Sequence, residues 1–297
     1  MMQASAETLP EPLVARRGLV LSRDIEDYPG GIIFPIDKPW RWTSADVIRK
    51  LKWAACRHFG SRSLKVGHAG TLDPLATGVL LVCVGKATKL AESLQREEKE
   101  YLAGVDFGAT TPSYDREKDI DRRFACESVT PEALERVLQG FKGPQEQVAP
   151  LFSAKSVDGV RAYEMARREY KAAALAGGGE FDHSAAALLT RQQIVIYDIS
   201  LEGWEPQGNT VPIDTLTGED ALLRPNPRIN VIETCGLGLP RATIRVSCSK
   251  GTYIRALARD LGEALGSGAF LDSLRRTRSG GFSVSDALSL SDALSLL

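Results

Sequence analysis

The segment KVGHAGTLDPLATGVLLVCVGKATKL, residues 65–90, decides how the rest of the chain is interpreted. Residues 67–78 hold three glycines, one proline and a single carboxylate, Asp73, a composition typical of a shaped loop. The apolar run 79–84 has a glycine on each side and predicts a buried strand. Because a loop fixed by glycine and proline beside a buried strand can hold one side chain in place, Asp73 is the candidate functional group.

Other interpretations of this segment are possible. An aspartate before proline initiates many ordinary turns, and spacing alone favours that role for Asp73. The segment 85–88, GKAT, is not a phosphate loop, because the preceding glycine lies seven positions earlier and alanine replaces the required hydroxyl residue. The three glycines of the loop also lack the spacing of a dinucleotide-binding fingerprint.

Composition indicates an ordinary soluble protein of one large or two domains. The chain has 297 residues, of which 43% are hydrophobic and 25% charged. Its apolar runs are too short for a membrane span and its N-terminus does not resemble a signal peptide, so we expect a cytoplasmic protein. Five separated cysteines and three scattered histidines predict neither a disulfide framework nor a metal site.

Basic residues are concentrated in two blocks, although the formal net charge is only -1. Residues 38–65 hold eight basic residues against one acid, and residues 245–278 hold seven against three. This distribution fits a one-sided surface for nucleic acid, and it fits solvated helix faces equally well.

The patterns along the chain predict strands and helices in alternation. Strands are expected at 31–38, 79–84 and 99–108, and helices after Thr43-Ser44, over 87–95, after Thr130-Pro131 and over 254–265. Residues 1–29 are polar and aperiodic, which predicts a flexible or loosely docked extension. The terminal tandem SDALSL-SDALSL predicts a short helix.

Residues 67–90 resemble the signature of the TruB family of tRNA pseudouridine synthases. Four further segments resemble family motifs in family order: Asp37-Lys38-Pro39 with Thr43-Ser44, the Lys99-x-Tyr101 pair, QVAPLFSAKSVDGVRAYEMAR at 147–167, and SKGTYIR at 249–255 followed by LRRTRSGGF at 274–282. The departures from the family pattern are Ala69, Arg41, Ala149 and Phe152. Because Arg41 replaces a glycine, we expect the loop around it to be reshaped.

The resemblance implies an α+β pseudouridine synthase catalytic fold on a mixed, mostly antiparallel sheet with flanking helices. It places the catalytic domain at 30–297, with a thumb insertion at about 155–196 and a second insertion at about 205–239. Both insertions are expected to be flexible loops because of their Gly-, Ala- and Pro-rich composition. A C-terminal RNA-binding domain of the PUA type is expected to be absent.

The resemblance also implies roles for individual residues. Asp73 is the nucleophile, Arg255 pairs with it, Tyr101 stacks on the target base, and His68 fills the gap that the flipped base leaves in the RNA. The remaining expected substrate-binding residues, which line the base pocket or face RNA, are Tyr253, Leu274, Lys250, Lys38, Arg275 and Arg276. Taken singly, Tyr101 could be a half-buried strand residue, His68 a loop hydrogen-bond donor and Arg255 a solvated helix charge.

The activity implied by the resemblance is isomerisation of the T-loop uridine at tRNA position 55. We expect tRNA, through its T-arm, as the partner, no cofactor or metal, no membrane, no obligatory protein partner, and a monomer. One carboxylate suffices because the same base leaves and returns, whereas a glycoside hydrolase needs a second carboxylate to activate water. Two alternatives stay open: an RNA-binding or tRNA-folding module, and a synthase that acts on ribosomal or guide-directed RNA.

Overall fold

The computed structural model describes residues 10–153, 156–157, 160–175, 181–182, 189, 191–208 and 223–297. The chain forms two compact units. The first comprises Met1–Glu97, Leu216–Pro225 and Arg276–Leu297, and the second comprises Glu98–Thr215 and Asn226–Arg275. No helix in the described part of the chain is long and apolar enough to cross a lipid bilayer.

Six α-helices and fourteen strands lie within the described residues. The helices are α1 (Ser44–His58), α2 (Ala91–Arg96), α3 (Pro131–Gly140), α4 (Ala162–Leu175), α5 (Ile254–Ala264) and α6 (Leu290–Ser295). The strands are β1 (Leu13–Val14), β2 (Ile32–Lys38), β3 (Val66–His68), β4 (Thr77–Val84), β5 (Lys99–Phe107), β6 (Ala109–Thr110), β7 (Arg122–Arg123), β8 (Gly143–Gln147), β9 (Ser156–Val157), β10 (Val160–Arg161), β11 (Gln192–Glu205), β12 (Arg241–Cys248), β13 (Ala269–Ser279) and β14 (Phe282–Ser283).

Strand β4 is the centre of the first unit. It pairs antiparallel with both β2 and β3, and all eight of its residues are buried. This confirms the strand predicted from the apolar run 79–84. The observed strand begins two residues before that run, at Thr77. The predicted helix 87–95 is instead a 3-10 helix, Gly85–Leu90, followed by the short helix α2.

Helix α1 covers this sheet with one apolar face. The Thr43 hydroxyl accepts from the Asp46 amide while the Asp46 carboxylate accepts from the Thr43 amide, a capping box that starts the helix. Its core residues are Val47, Leu51, Ala54 and Ala55, all buried. Truncating a side chain such as Leu51, which is fully buried, typically costs about 2–5 kcal/mol.

The N-terminal segment is docked where the structure describes it. Strand β1 pairs parallel with β2, and Ala15 and Leu21 are buried. Arg17 also donates to the Asp292 carboxylate of α6 at 3.1 Å. The prediction of a flexible or loosely docked extension therefore needs correction for residues 13–28, because hydrogen bonds and buried side chains hold them to the first unit.

The second unit is built on the antiparallel order β5-β12-β11-β8. Helix α3 begins at the predicted Thr130 cap, and it buries Leu134 and Leu138. Helix α5 is buried along one side from Ile254 to Gly262. The mixed, mostly antiparallel α+β fold implied by the sequence is thus the observed one.

The predicted thumb is only partly described. Its described residues include the hairpin β9-β10 and helix α4. Strand β11 begins at Gln192 and pairs with β8, so the predicted end of the thumb at 196 lies inside a strand of the sheet. Most of the segment AALAGGGEFDHSAAALL, residues 173–189, lies outside the described residues.

A buried cluster of four charged residues in the second unit anchors part of the predicted insertion 205–239. Arg241 bonds Asp106 twice, at 2.6 and 3.0 Å, and lies 2.9 Å from Asp272. Arg116 lies 3.6 Å from Asp272, and the Thr234 hydroxyl donates to Asp272 at 2.6 Å. We call Arg241, Asp106, Asp272 and Arg116 the charged cluster. Because it binds Thr234, the prediction of a flexible loop is wrong around that residue, which is 2% exposed.

Candidate active site

The loop that carries Asp73 is shaped by glycines and a tight turn. Gly70 and Gly78 have φ of 96° and 97°, a region that only glycine adopts without strain. Between them the Ala76 amide donates to the Asp73 carbonyl at 3.1 Å, which closes a turn over Pro74. Asp73 itself is partly exposed at the turn. The loop therefore presents one carboxylate on a backbone with little freedom.

Ser44, the first residue of α1, fixes the residue before Asp73. Its hydroxyl donates to the Leu72 carbonyl at 2.9 Å and accepts from the Leu72 amide at 2.9 Å. Both groups are buried, so loss of either bond would leave a polar backbone atom unsatisfied. These two hydrogen bonds thus connect the start of α1 to the start of the Asp73 turn.

Lys38 supports the same turn from inside the protein. Its side chain is fully buried, and its ammonium donates to the carbonyls of Pro39, Trp42 and Pro74 at 3.0, 2.6 and 3.3 Å. A buried lysine is strongly unfavourable unless its charge is bonded in this way. The prediction that Lys38 binds substrate is corrected: the burial of its side chain makes it a positioning residue for the Asp73 turn.

Arg276 holds the loop from β13. It is 1% exposed, and its guanidinium donates to Val79 at 2.7 Å, Gly70 at 3.1 Å and Thr71 at 3.5 Å, always to the main-chain carbonyl. A Cβ on Gly78 would lie 2.1 Å from the Arg276 carbonyl oxygen, so this close approach requires glycine. The expectation that Arg276 faces RNA is wrong, because its donors are directed at the loop.

His68 lies at the end of β3, a few residues before Asp73. The ring is partly buried, and its Nδ1 has no hydrogen-bond partner among the residues that the structure describes. Burial lowers the pKa of His68, and the nearby Arg276 charge lowers it further. The imidazole is therefore neutral at neutral pH. A role for His68 in the RNA stays a prediction.

Arg41 shows that a sequence departure need not change the backbone. Its φ is 57°, so a non-glycine residue occupies the left-handed conformation that the family's glycine would allow. The guanidinium lies 5.6 Å from the centroid of the Trp40 ring, a cation–π contact. The expected reshaping of this loop is not observed at the φ of Arg41: the positive φ is kept at the expense of strain.

Arg255 is buried in the second unit instead of being a solvated helix charge. It is 6% exposed and donates to the carbonyls of Ser113 and Phe152 at 3.0 Å each. Its Nε lies 3.7 Å from the Asp115 carboxylate, which is itself held by the Ser113 hydroxyl and the Glu117 amide. Asp115 is a partner that the sequence interpretation did not identify. The pairing of Arg255 with Asp73 stays a prediction.

The other predicted site residues of the second unit differ in exposure. Tyr101 and Leu274 are each 8% exposed, on β5 and β13, whereas Lys250 is exposed before α5. Tyr253 is held at the start of α5 by the amide of Gln147, which accepts from the Tyr253 amide at 2.8 Å and donates to its carbonyl at 3.2 Å. Their roles toward a substrate base stay predictions.

Sequence patterns missed the residues that hold individual predicted site residues in place within each unit. Ser44 and Gln147 act through single side-chain contacts with distant backbone, and no periodicity reports such contacts. Arg276 did have a signal in the sequence, because it lies two residues after Leu274 in the segment LRRTRS. Side chains alternate between the two faces of a strand, so Arg276 shares the inward face of Leu274. The signal for Asp115 was weaker, a lone aspartate among polar loop residues.

Comparison with known proteins defines the class to which this fold and loop belong. The profile described as TruB family pseudouridylate synthase (N terminal domain) matches residues 57–176, and that of the tRNA pseudouridylate synthase B C-terminal domain matches residues 255–296. These matches define a pseudouridylate synthase. The chain belongs to the TruB family.

Curated relatives support the same family over most of the chain. It is 43% identical over 265 residues to tRNA pseudouridine synthase B of Phocaeicola vulgatus, covering 89% of this chain and 92% of that protein. The identity to tRNA pseudouridine synthase B of Bacteroides thetaiotaomicron is 45% over 259 residues, covering 87% and 89%. The corresponding protein of Deinococcus radiodurans is 38% identical over 87% of this chain and 77% of its own.

Solved structures share the fold. A Cbf5-Nop10-Gar1 complex contains a chain that matches with a TM-score of 0.53 and 25% identity, covering 90% of this chain and 54% of that one. An H/ACA RNP bound to a substrate RNA containing 2'-deoxyuridine matches with a TM-score of 0.52 and 23% identity, covering 90% and 53%. This protein spans about half the length of those chains.

Proposed function

We propose that this protein isomerises the T-loop uridine at position 55 of tRNA to pseudouridine, with Asp73 as the nucleophile. The observation that carries the proposal is a partly exposed carboxylate on a turn fixed from three sides. Ser44 bonds the residue before it, Lys38 bonds the residue after it, and Arg276 bonds the glycine that begins the loop. A nucleophile needs such a fixed position, because misplacement by about 1 Å can reduce rates about a hundredfold.

The chemistry follows from one carboxylate. Asp73 assists cleavage of the bond between N1 of uracil and C1' of ribose. The uracil then rotates, a C5–C1' bond forms, and the C5 proton leaves as N1 gains a proton, so that product and substrate are isomers. Water is not a reactant, and this is why no second carboxylate is required to activate it.

Two buried cations hold the backbone of this turn. Lys38 donates to the carbonyl of Pro74, and Arg276 donates to the carbonyls of Gly70 and Thr71. Their bonds fix the backbone around Asp73 and so keep its carboxylate in one position, which a nucleophile requires.

The residues of the second unit are assigned to the base by resemblance. In the proposal Tyr101 stacks on uracil after it leaves the RNA, and Tyr253 and Leu274 line the base pocket. Extruding a base costs a few kcal/mol, and stacking on one aromatic ring returns about 1–3 kcal/mol. Arg255 acts in the proposal as the cation that pairs with Asp73.

The proposal includes the organisation of the chain and its partners. Residues 30–297 act as a single catalytic region, tRNA binds through its T-arm, and the enzyme works as a monomer in the cytoplasm without an obligatory protein partner. The names of the curated relatives support tRNA as the substrate.

The test is to incubate the purified chain alone with an unmodified tRNA transcript and to map pseudouridine at single-nucleotide resolution. We expect one modified position, in the T-loop, and release of tritium from C5-labelled uridine in equal amount. If only ribosomal or guide-paired RNA is modified, that RNA and not tRNA is the substrate. Tight tRNA binding without tritium release would favour an RNA-binding or tRNA-folding module instead.

A further inference from the structure

The solvent face of α1 carries an exposed cluster of one aromatic and several basic residues that the proposed chemistry does not use. We call it the α1 basic face, and it comprises Arg49, Lys50, Lys52, Trp53, Arg57 and, just after the helix, Arg62. All six are exposed. The one acid of the helix, Asp46, is engaged by the cap at Thr43 and by Arg49 at 3.1 Å. The face is therefore strongly positive on a protein whose formal net charge is -1.

Trp53 is the unusual member of this face. It is 63% exposed, and the guanidinium of Arg57 lies 4.6 Å from its ring centroid. Among the described residues this is the one ring contact of Trp53, so the cation–π pair holds the indole against one neighbour only. A concavity of about 490 Å³ adjoins the ring and is lined also by Arg49, Lys52 and Arg62.

An indole plane with cations around it has the chemistry of a single-stranded nucleic-acid platform. Any base can stack on the ring, and arginine and lysine side chains neutralise the flanking phosphates. We propose that the α1 basic face binds an unpaired or looped segment of the substrate RNA, with one base stacked on Trp53 and phosphates bound by Arg49, Lys52 and Arg62. The identity of that RNA rests on the proposed function.

The segment bound here lies outside the target uridine. Ser44, at the start of α1, contacts Leu72 beside Asp73. Trp53 is nine residues further along the helix, about 13 Å at 1.5 Å per residue. A nucleotide on Trp53 is therefore a different one from the target uridine, either along the strand or across a folded loop. The face adds affinity for the RNA without touching the reacting atoms.

Other partners fit this face less well. An amphipathic helix at a lipid surface presents its apolar side to the bilayer, but the apolar side of α1, with Val47 and Leu51, is buried in the protein. An acidic polypeptide would satisfy the cations but offers no repeated planar groups for the indole. Charge and the exposed ring together favour RNA.

The experiment compares dissociation constants for unmodified tRNA over a range of salt concentrations. We expect Trp53→Ala to weaken binding about tenfold, within the range for loss of one base stack, with an unchanged salt slope. Trp53→Phe should restore most of the affinity because it keeps an aromatic plane. Lys52→Gln should reduce the slope of log affinity against log salt by about 0.7, the value for one phosphate contact on a single strand.

Two matched controls separate this effect from general surface changes. Tyr197→Ala removes an aromatic residue that is 53% exposed in the second unit, and Arg96→Gln removes an exposed cation paired with Glu92. Neither should change affinity by more than about twofold, within the spread of ordinary surface substitutions. Thermal melting should show that the Trp53 variants are folded.

The outcomes distinguish this inference from the proposed function. If the wild-type chain modifies tRNA but Trp53→Ala and Lys52→Gln bind like the controls, the inference is wrong and the proposed function stands. If the chain binds tRNA through these residues but forms no pseudouridine, the proposed function is wrong. The α1 basic face is then still an RNA-binding surface. A wild-type chain that binds no RNA overturns both.

Discussion

Two sets of buried cations, one in each unit of this protein, are bonded by different partners. In the first unit the bonds of Lys38 and Arg276 to the Asp73 loop end on carbonyl oxygens. In the second unit the guanidinium of Arg241 is bonded by two carboxylates, those of Asp106 and Asp272. In the first arrangement the cations bond main-chain oxygens around the loop, whereas in the second they lie within a few ångströms of carboxylates.

The difference separates a region that fixes the Asp73 turn from one that anchors a loop. A buried cation that donates to carbonyl oxygens fixes the backbone that carries them. A balanced cluster exerts little field outside itself, and it is worth most as a specific connection between chain segments. Burial raises the pKa of Asp106 to about 6, although its bonds to Arg241 oppose the shift. The charged cluster is therefore sensitive to the loss of either sign of charge.

The largest expected effect tests the chemical role of the first region. Asp73→Asn should reduce single-turnover pseudouridine formation at least about a thousandfold, roughly 4 kcal/mol in the barrier, because an amide is not a nucleophile. Tritium release from C5-labelled tRNA measures it. Asp286→Asn, at an exposed carboxylate of the same unit, serves as the control and should retain full activity. Residual turnover near the wild-type rate would show that Asp73 only shapes the turn.

Arg241→Met should have the next largest effect, on stability. Removing the guanidinium leaves Asp106 and Asp272 buried without their main partner, which typically costs about 3–5 kcal/mol. Urea unfolding measures the change. The kcat of the folded fraction should stay within about twofold, since the charged cluster anchors a loop and has no proposed chemical role.

The pH dependence of this variant sharpens the comparison. The pKa of Asp106 is about 6 in the folded protein, against about 3.9 in an unfolded chain, and loss of Arg241 would raise the folded value further. A raised folded pKa gives stability that is present at low pH and lost as pH rises through it. The deficit of Arg241→Met should thus be larger at pH 8 than at pH 5. A constant deficit would mean that packing around Arg241, not charge balance, holds the segment.

Arg276→Met should lower kcat about a hundredfold, roughly 2.7 kcal/mol, because the carbonyls of Gly70 and Val79 lose their donor and the Asp73 turn shifts. The KM for tRNA should change little, since Arg276 is buried. Arg276→Lys should recover part of the rate by restoring a cation with fewer donors. A variant with raised KM and normal kcat would instead support the expectation from the sequence that Arg276 faces RNA.

The smallest effect concerns the strained loop at Arg41. Arg41→Gly should raise the free energy of unfolding by about 0.5 kcal/mol, because relief of about 1–2 kcal/mol of left-handed strain exceeds the entropy cost of glycine, about 0.5–1 kcal/mol. Thermal melting measures it. Lys50→Gly, in the interior of α1, is the matched control and should lower stability by about 1 kcal/mol. A loss of stability in both variants would show that the contact of Arg41 with Trp40 outweighs the strain.

The sequence predicts much of the fold because its strongest signals are local. The apolar run of β4, the cap at Thr43 and the Thr130-Pro131 start of α3 each report one element through its own residues. The glycine-shaped loop around Asp73 belongs to the same kind of signal. Segments with weak local signals were predicted less well, and β1 is an example: its two residues are fixed by their pairing with β2.

The direction of charged side chains could not be predicted from local patterns. Lys38 and Arg276 look like surface cations in a basic block, yet both are buried because carbonyl oxygens converge on them in the folded chain. Arg255 likewise pairs with Asp115, which lies 140 positions earlier in the chain. Such contacts are properties of the tertiary structure. Composition and periodicity carry no record of them.

The two hydrogen bonds between Ser44 and Leu72 also determine how the Asp73 turn opens. The Leu72 amide belongs to a loop, where hydrogen exchange with solvent is usually fast. Here its proton is donated to a side chain at the first residue of α1, so it can exchange only when that hydrogen bond breaks. The Leu72 amide, next to Asp73, should therefore exchange more slowly than an ordinary loop amide, and Ser44→Ala should convert it to a fast-exchanging one.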